Sequence, residues 1–188
     1  MSSRRFANSD IVCLAACALV LAGCMSQDPE EGDRQLVLKV EDLLPYGVEL
    51  PRGYATWETL KREKWIDASY AVEYEFEPPD EAALPYVYSL TERHPSKADA
   101  CSSYSAGNIG LPFGLGDNEL EVRDDLFSYG DESRFGLLTA EGQPFGNYFA
   151  MCKGRVAVMI IIGGLYFDEG DLWAELLQPM LGEIAVLE

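Results

Sequence analysis

The stretch Lys153-Gly-Arg-Val-Ala-Val-Met-Ile-Ile-Ile162 decides the fold of this chain. Its first two residues, Lys153 and Gly154, predict a two-residue hairpin turn. The residues that follow, Arg155 to Ile162, are the most apolar stretch after residue 23. Seven consecutive apolar side chains predict a central strand covered on both faces. The rest of the chain therefore has to supply elements on each side of a sheet.

Alternating segments elsewhere predict the remaining strands. From Ser69 to Glu77, aromatic and apolar side chains alternate with alanine and glutamate. This period of two places the apolar side chains in the core and Glu73, Glu75 and Glu77 in solvent. A second strand is predicted from Pro85 to Thr91. Three more are predicted at 119–125, 134–140 and 148–152, with a turn at Glu141-Gly142.

Two helices are predicted between and after these strands. Ser96, followed three residues later by Asp99, forms a pattern like a capping box, and Gly107 is placed to end this short helix. The second helix begins at Asp168 and carries apolar residues at three- and four-residue spacing, with a kink expected at Pro179. The order of elements predicts an α+β fold. In it, an antiparallel sheet is covered by a short mid-chain helix and a long C-terminal amphipathic helix.

The same order of elements resembles a known fold. A glycine-containing hairpin before an apolar strand, followed by a closing amphipathic helix, is similar to the PsbP-like fold over residues 50–187. That fold recurs in bacterial envelope lipoproteins. The resemblance implies a scaffold that binds a small ligand or docks a protein, and it implies no catalytic residue.

The N-terminal segment is typical of a bacterial lipoprotein signal. An arginine pair precedes an apolar run at 11–22, which is too short for the roughly 20 residues of a spanning helix. Leu21-Ala-Gly-Cys24 follows and resembles the lipobox, which implies a signal peptide at 1–23 and lipid attachment at Cys24. Because Met25 rather than an aspartate follows, the resemblance implies an outer-membrane location facing the periplasm. The alternative is a short N-terminal helix that ends in a free cysteine.

Loss of residues 1–23 would leave the length of one ordinary domain. The sequence predicts a flexible acidic tether at 24–35, which contains Pro29 and Gly32, and a single α+β domain at 36–188. The formal net charge is −18, and it becomes −19 without the two arginines and one aspartate of the signal. Such a chain repels phosphate backbones, which excludes nucleic acid as a partner. The charge serves solubility, or else favours a basic partner or a divalent cation.

Cysteine usage predicts one disulfide. Cys13 and Cys17 lie in the signal and Cys24 is the predicted lipid site, so Cys101 and Cys152 remain as a single pair. In an oxidising envelope compartment a disulfide is the default state of such a pair. Two buried free thiols are the alternative.

No pattern in the sequence predicts catalysis. His94 is the only histidine and is predicted to be an exposed turn residue. The glycine-rich loop predicted at 110–116 lacks both the P-loop lysine and the dinucleotide-binding spacing, and Ser133 does not lie in a nucleophile elbow. No zinc-ligand spacing occurs, and the acidic residues at 117–125 offer calcium ligands without the spacing of an EF-hand. We therefore predict a non-enzymatic protein without a cofactor or a metal.

Residues 52–66 combine aromatic and charged side chains in the one locally basic segment. Tyr54, Trp57 and Trp65 are candidate binding residues, since aromatic side chains are enriched at interfaces. A helix that packs its tryptophans inward is the alternative interpretation.

Three functional hypotheses follow from the sequence. The first is a lipoprotein domain that docks another envelope protein through residues 52–66. The second is a carrier of a small lipid or metabolite, which an apolar cavity would favour. The third is a hydrolase that uses acidic residues, and it needs a buried carboxylate pair beside a cleft.

Overall fold

A computed structural model describes residues 25–65, 69–79 and 84–187. The strands are β1 (Met25–Gln27), β2 (Glu58–Lys64), β3 (Tyr70–Phe76), β4 (Tyr86–Arg93), β5 (Glu119–Val122), β6 (Glu132–Ala140), β7 (Gln143–Lys153) and β8 (Val156–Gly163), and the α-helices are α1 (Lys97–Gly114) and α2 (Gly170–Val186). The strands form one antiparallel sheet in the order β1-β2-β3-β4-β8-β7-β6-β5. The predicted α+β class, with helices on an antiparallel sheet, is confirmed.

Strand β8 lies near the middle of this sheet. It pairs with β4 on one side and with β7 on the other, and only Met159 among its residues is not fully buried. Alternate side chains of β8 enter different clusters on the two faces of the sheet. The turn before β8 consists of Gly154 and Arg155, one residue later than predicted, and Gly154 has a φ of +53° that glycine adopts readily.

One face of the sheet is covered by α2 and by residues 36–50. Six residues of α2 are buried there: Trp173, Leu176, Leu177, Met180, Leu181 and Ile184. The N-terminal segment adds a 3-10 helix at Val40–Tyr46 and is fixed by strand side chains. The amide of Leu38 donates to Ser89 Oγ at 3.0 Å, and the amide of Val40 donates to the Tyr74 hydroxyl at 3.1 Å. These bonds satisfy buried backbone groups outside the sheet.

Helix α2 begins at Gly170, two residues after the predicted start. A Cβ at this position would come within 1.9 Å of the carbonyl oxygen of Leu126. The helix therefore starts where its backbone contacts the loop before β6, a contact that only glycine allows.

Helix α1 covers part of the opposite face and is longer than predicted. It continues past Gly107, the predicted end, and includes most of the segment 110–116 that was predicted as a loop. Leu111 and Leu115 are buried against the sheet. Their burial outweighs the weak helix propensity of glycine and the missing amide hydrogen of Pro112.

The segment predicted to be a flexible tether has defined structure from Met25 onward. Strand β1 pairs with the edge of β2, and a 3-10 helix follows at Asp33–Gln35. Asp33 is only 1% exposed, and its carboxylate forms an ion pair with Arg62. The guanidinium of Arg62 also lies 4.1 Å from the centre of the Tyr70 ring. The polar composition of this segment favoured flexibility, but a buried ion pair instead joins it to the sheet.

The structure joins Cys101 to Cys152, the pair predicted to form the disulfide, with 5.1 Å between the Cα atoms. The bond connects the second turn of α1 to β7, where the Cys152 side chain is buried with Ala100 and Ala157. The disulfide therefore fixes α1 to the sheet, although this helix buries few large apolar residues there.

Replacing both Cys101 and Cys152 by alanine should lower the free energy of unfolding. The bond closes a loop with a sequence separation of 51 residues, for which the chain-entropy relation gives about 4 kcal/mol. Denaturant titration of the wild type and the double variant measures this loss. Dithiothreitol should destabilise the wild type by a similar amount and leave the variant unchanged. A loss below about 1 kcal/mol would contradict the role given to this bond.

Candidate functional site

A cavity of about 260 Å³ lies between α1 and the sheet, and is called here the α1 cavity. Its floor is formed by β4, β7 and β8, and its other wall by the middle of α1. Most of its lining is apolar, with Leu90 and Met159 contributed by the strands. Gly107 brings the helix close to β8, because a Cβ there would lie 3.2 Å from the methyl carbon of Met159.

One carboxylate lies among these apolar walls. Glu92 is 8% exposed, and its Oε2 accepts a hydrogen bond from the hydroxyl of Ser103 on α1. The same oxygen lies 3.2 Å from Nε2 of His94. Burying a carboxylate is costly unless hydrogen bonds or a cation compensate it. Glu92 therefore forms a polar centre at the wall of an otherwise apolar cavity.

His94 is not the exposed turn residue that the sequence predicted. Its side chain is 12% exposed, and its ring lies 5.5 Å from that of Trp65. Its backbone amide donates to the carbonyl of Arg155 at 2.8 Å, and Arg155 Nε donates to the carbonyl of His94 at 3.1 Å. The prediction failed because the end of β2 and the turn before β8 both pack against this loop.

Glu92, His94 and Ser103 do not form a nucleophilic triad. In such a triad the histidine lies between the serine and the acid, so that it can take the hydroxyl proton. Here the carboxylate of Glu92 lies in the middle, and both Ser103 and His94 contact it. The arrangement therefore holds a carboxylate in place and does not activate a hydroxyl. A fixed carboxylate is suited to binding a ligand.

The fold separates the three aromatic residues predicted as one binding segment. Tyr54 and Trp57 lie in a 3-10 helix before β2, where Trp57 packs against Phe76 with 6.1 Å between ring centres. Trp65 follows the other end of β2 and contacts His94. Seven strand residues span about 23 Å, so one patch cannot contain all three. The segment between them is a strand rather than the helix considered as the alternative.

The predicted wet face of β3 is only partly wet. Glu77 is exposed, but Glu73 and Glu75 are half-buried. The Tyr86 hydroxyl donates to Glu75 Oε1 at 3.1 Å, and the Tyr88 hydroxyl donates to Glu73 Oε2 at 3.4 Å. Burial raises the pKa of Glu75, and repulsion from Glu77 and Glu73 raises it further. The hydrogen bond from Tyr86 opposes this shift and lowers the pKa.

Three of the carboxylates considered as calcium ligands at 117–125 contact other groups of the protein. Arg123 pairs with Asp125 at 3.1 Å and lies 3.9 Å from Glu121. Asp124 Oδ1 accepts a hydrogen bond from the amide of Phe135 at 2.8 Å. Arg123 and the amide of Phe135 are thus the partners of Glu121, Asp125 and Asp124 in this segment.

Among residues 25–65, 69–79 and 84–187, one group of three side chains places its potential metal-ligand atoms close together. These side chains are Cys101, Glu132 and Cys152. The two sulfur atoms of that group are bonded to each other.

Cys24, the predicted lipid site, lies outside the described residues, as do the signal at 1–23 and residue 188. In the part of the chain that the structure describes, neither helix combines the length and apolar character of a membrane span.

The comparisons with known proteins assign no family. No family model matches the chain, and no curated protein matches it. Among solved structures, the extracellular domain of PknH from Mycobacterium tuberculosis is similar, at 11% sequence identity and a TM-score of 0.41, covering 96% of this chain and 92% of that one. At this level of similarity no property of that domain is carried over to this chain.

Glu92 and Ser103 are the site residues that the sequence analysis missed. The predicted strand ended at Thr91, one residue before Glu92. Extending the period of two from Tyr88 and Leu90 places Glu92 on the same face as those residues. The signal in the sequence was a polar residue at a position where the alternation places apolar residues. The sequence did not show, however, that a helix covers this face of the sheet.

The variant Glu75→Gln should stabilise the protein at neutral pH. Folding raises the pKa of Glu75, so the folded state binds the proton more tightly than the unfolded state does. The resulting contribution to stability is fully present below the unfolded-state pKa and is lost as the pH rises through the folded-state pKa. Glutamine removes that loss and still accepts the bond from Tyr86. The melting temperature of the variant should exceed that of the wild type at pH 7, and the two should agree near roughly pH 3.5.

Melts followed by circular dichroism across this range test the prediction. Glu119→Gln is the matched control. Glu119 is an exposed glutamate on β5 and is not among the groups that shift the pKa of Glu75, so we expect little change at any pH. Equal melting temperatures for Glu75→Gln and wild type at pH 7 would contradict the argument.

Proposed function

We propose that this chain is a lipid-anchored envelope protein whose domain binds a small, largely apolar ligand in the α1 cavity. The observation that carries the proposal is the cavity itself, which is apolar except for a few polar groups including the buried carboxylate of Glu92. Small-molecule sites have this composition. The cavity volume of about 260 Å³ lies just below the roughly 300 Å³ at which such sites usually begin, so the ligand has to be small. The cavity supports the second of the three hypotheses drawn from the sequence.

The construction of the site supports a preformed cavity. Interiors are normally close-packed, so a space of this size has to be held open. The disulfide fixes α1 to β7 at Cys101, two residues before Ser103 lines the cavity. Asn108, one turn further along, accepts a hydrogen bond from the Tyr148 hydroxyl at 3.2 Å. A covalent link and a hydrogen bond thus hold the helix above the sheet, which lowers the cost of ordering on binding.

The proposed location rests on the sequence and on the disulfide. The lipobox resemblance at 21–24 supports a lipid anchor on Cys24, and Met25 supports sorting to the outer membrane with the domain in the periplasm. A disulfide is stable in such an oxidising compartment.

Docking of an envelope protein through residues 52–66 is the second candidate function. Trp57, Glu77, Pro78 and Pro79 line a surface recess at one end of that segment. Aromatic side chains in such recesses are frequent anchors for partner proteins. Trp65 lies at the other end of β2 and does not belong to this recess.

The variant Ala106→Trp tests the proposed cavity. Ala106 is exposed and lines the cavity, so an indole at this position should cover its opening without displacing core residues. The matched control is Ala98→Trp, on an exposed position of the same helix. Saturation-transfer NMR with 1-hexanol should show binding to wild type and to Ala98→Trp, and a loss of at least tenfold in Ala106→Trp.

Two outcomes would contradict the proposal. One is that wild type binds no hexanol, and the other is that all three proteins bind it equally; in either case the cavity is not a ligand site. Capture of a partner that depends on Trp57 and is unaffected by Ala106→Trp would favour docking instead.

The variant Cys24→Ser tests the anchor. In a bacterium with the lipoprotein pathway, wild type should sediment with membranes and incorporate labelled palmitate, and Cys24→Ser should do neither, because the acyl chains provide the membrane affinity. Cys13→Ser, within the signal, is the matched control and should behave as wild type. Labelled, membrane-bound Cys24→Ser would exclude this cysteine as the lipid site.

A further inference from the structure

Glu92 is a buried carboxylate whose neighbours leave it without a permanent cation. Among the described residues, the basic side chain within 4 Å of it is that of His94, and the other contact is the neutral hydroxyl of Ser103. Both contacts end on Oε2. Buried carboxylates are ordinarily paired with a cation or held by several donors. Glu92 has one hydroxyl donor and one imidazole, and the imidazole is a cation only when it is protonated.

Glu92 is one of the residues that line the α1 cavity. It is the one carboxylate among the lining residues, and no lysine or arginine lines the cavity. Leu90 lies two residues away on the same face of β4, opposite Met159 of β8. The site thus offers one negative group with an apolar wall beside it.

We infer that the ligand of the α1 cavity is a small organic cation, an ammonium group with an apolar tail. The ammonium would pair with Glu92, and the tail would lie along Leu90 and Met159. This inference rests on the proposed function and adds the chemical class of the ligand.

Electrostatics favour this class over the two alternatives. An anionic ligand would meet a buried carboxylate in a chain of net charge −18, and this repulsion disfavours it. A neutral ligand fills the cavity but leaves the negative charge of Glu92 without a counter-ion from the ligand. A cation gains the ion pair at a carboxylate that is already largely shielded from bulk water, so less of the desolvation cost on the protein side falls on binding. The negative charge of the chain also raises the local concentration of cations.

Three probes of equal length separate the classes: hexylammonium, 1-hexanol and hexanoate. Titration of the wild-type protein should show that hexylammonium binds at least tenfold more tightly than hexanol and that hexanoate does not bind. In Glu92→Gln, hexylammonium should lose at least tenfold in affinity while hexanol binds as before. Glu77→Gln, which removes an exposed charge from β3, is the matched control and should leave all three affinities unchanged.

A measurement on the wild type keeps the inference testable if Glu92→Gln does not fold. Nuclear Overhauser contacts should connect the methylene next to the ammonium with Ser103 and the terminal methyl with Met159. The reverse orientation would overturn the inference.

The outcomes also distinguish this inference from the proposed function. Equal binding of hexylammonium and hexanol, unaffected by Glu92→Gln but abolished by Ala106→Trp, would overturn the cation and retain the cavity as a ligand site. Failure of both probes to bind folded wild type would overturn both.

Discussion

Strand β8 has to bury both of its faces, and the rest of the structure follows from that requirement. On one face, α2 supplies six buried side chains together with the segment 36–50. On the other face, α1 contributes Ala100, Leu111 and Gly114 as its buried residues, which fill little volume. The two faces are therefore packed unequally. The α1 cavity is the space that a helix of small residues leaves above β8, next to Met159.

The disulfide compensates for the weak apolar face of α1. A helix with few large buried residues gains little from burial, and α1 also contains glycines and Pro112, which disfavour a helix. The bond from Cys101 to Cys152 fixes it to the sheet without filling the space beneath it. A larger apolar face on this helix would stabilise the same contact but would leave no room for a ligand.

Periodicity in the sequence was sufficient to locate β3 to β8 and α2, because each presents a regular face to the core, but it predicted neither β1 nor β2. It failed where a second element decides the outcome. Asp33 reads as part of a polar tether until Arg62 is placed beside it. His94 reads as an exposed turn until Trp65 covers it. Glu92 lies just past the predicted end of its strand, and its role depends on Ser103 of a helix whose length the glycines concealed. Local pattern specifies which way a side chain points and does not specify what lies over it.

The register of β1 would limit how far the domain could stand from a membrane if Cys24 carries the proposed acyl chains. Met25 lies opposite Lys64, Lys64 opposite Tyr70, and Tyr70 opposite Arg93, so these residues form one row across the sheet. Glu92 is adjacent to the end of that row. Acyl chains on Cys24 would hold this edge at the headgroups, since no loose residue separates the cysteine from β1. A domain attached there would stand directly on the membrane, without the reach that a flexible linker gives.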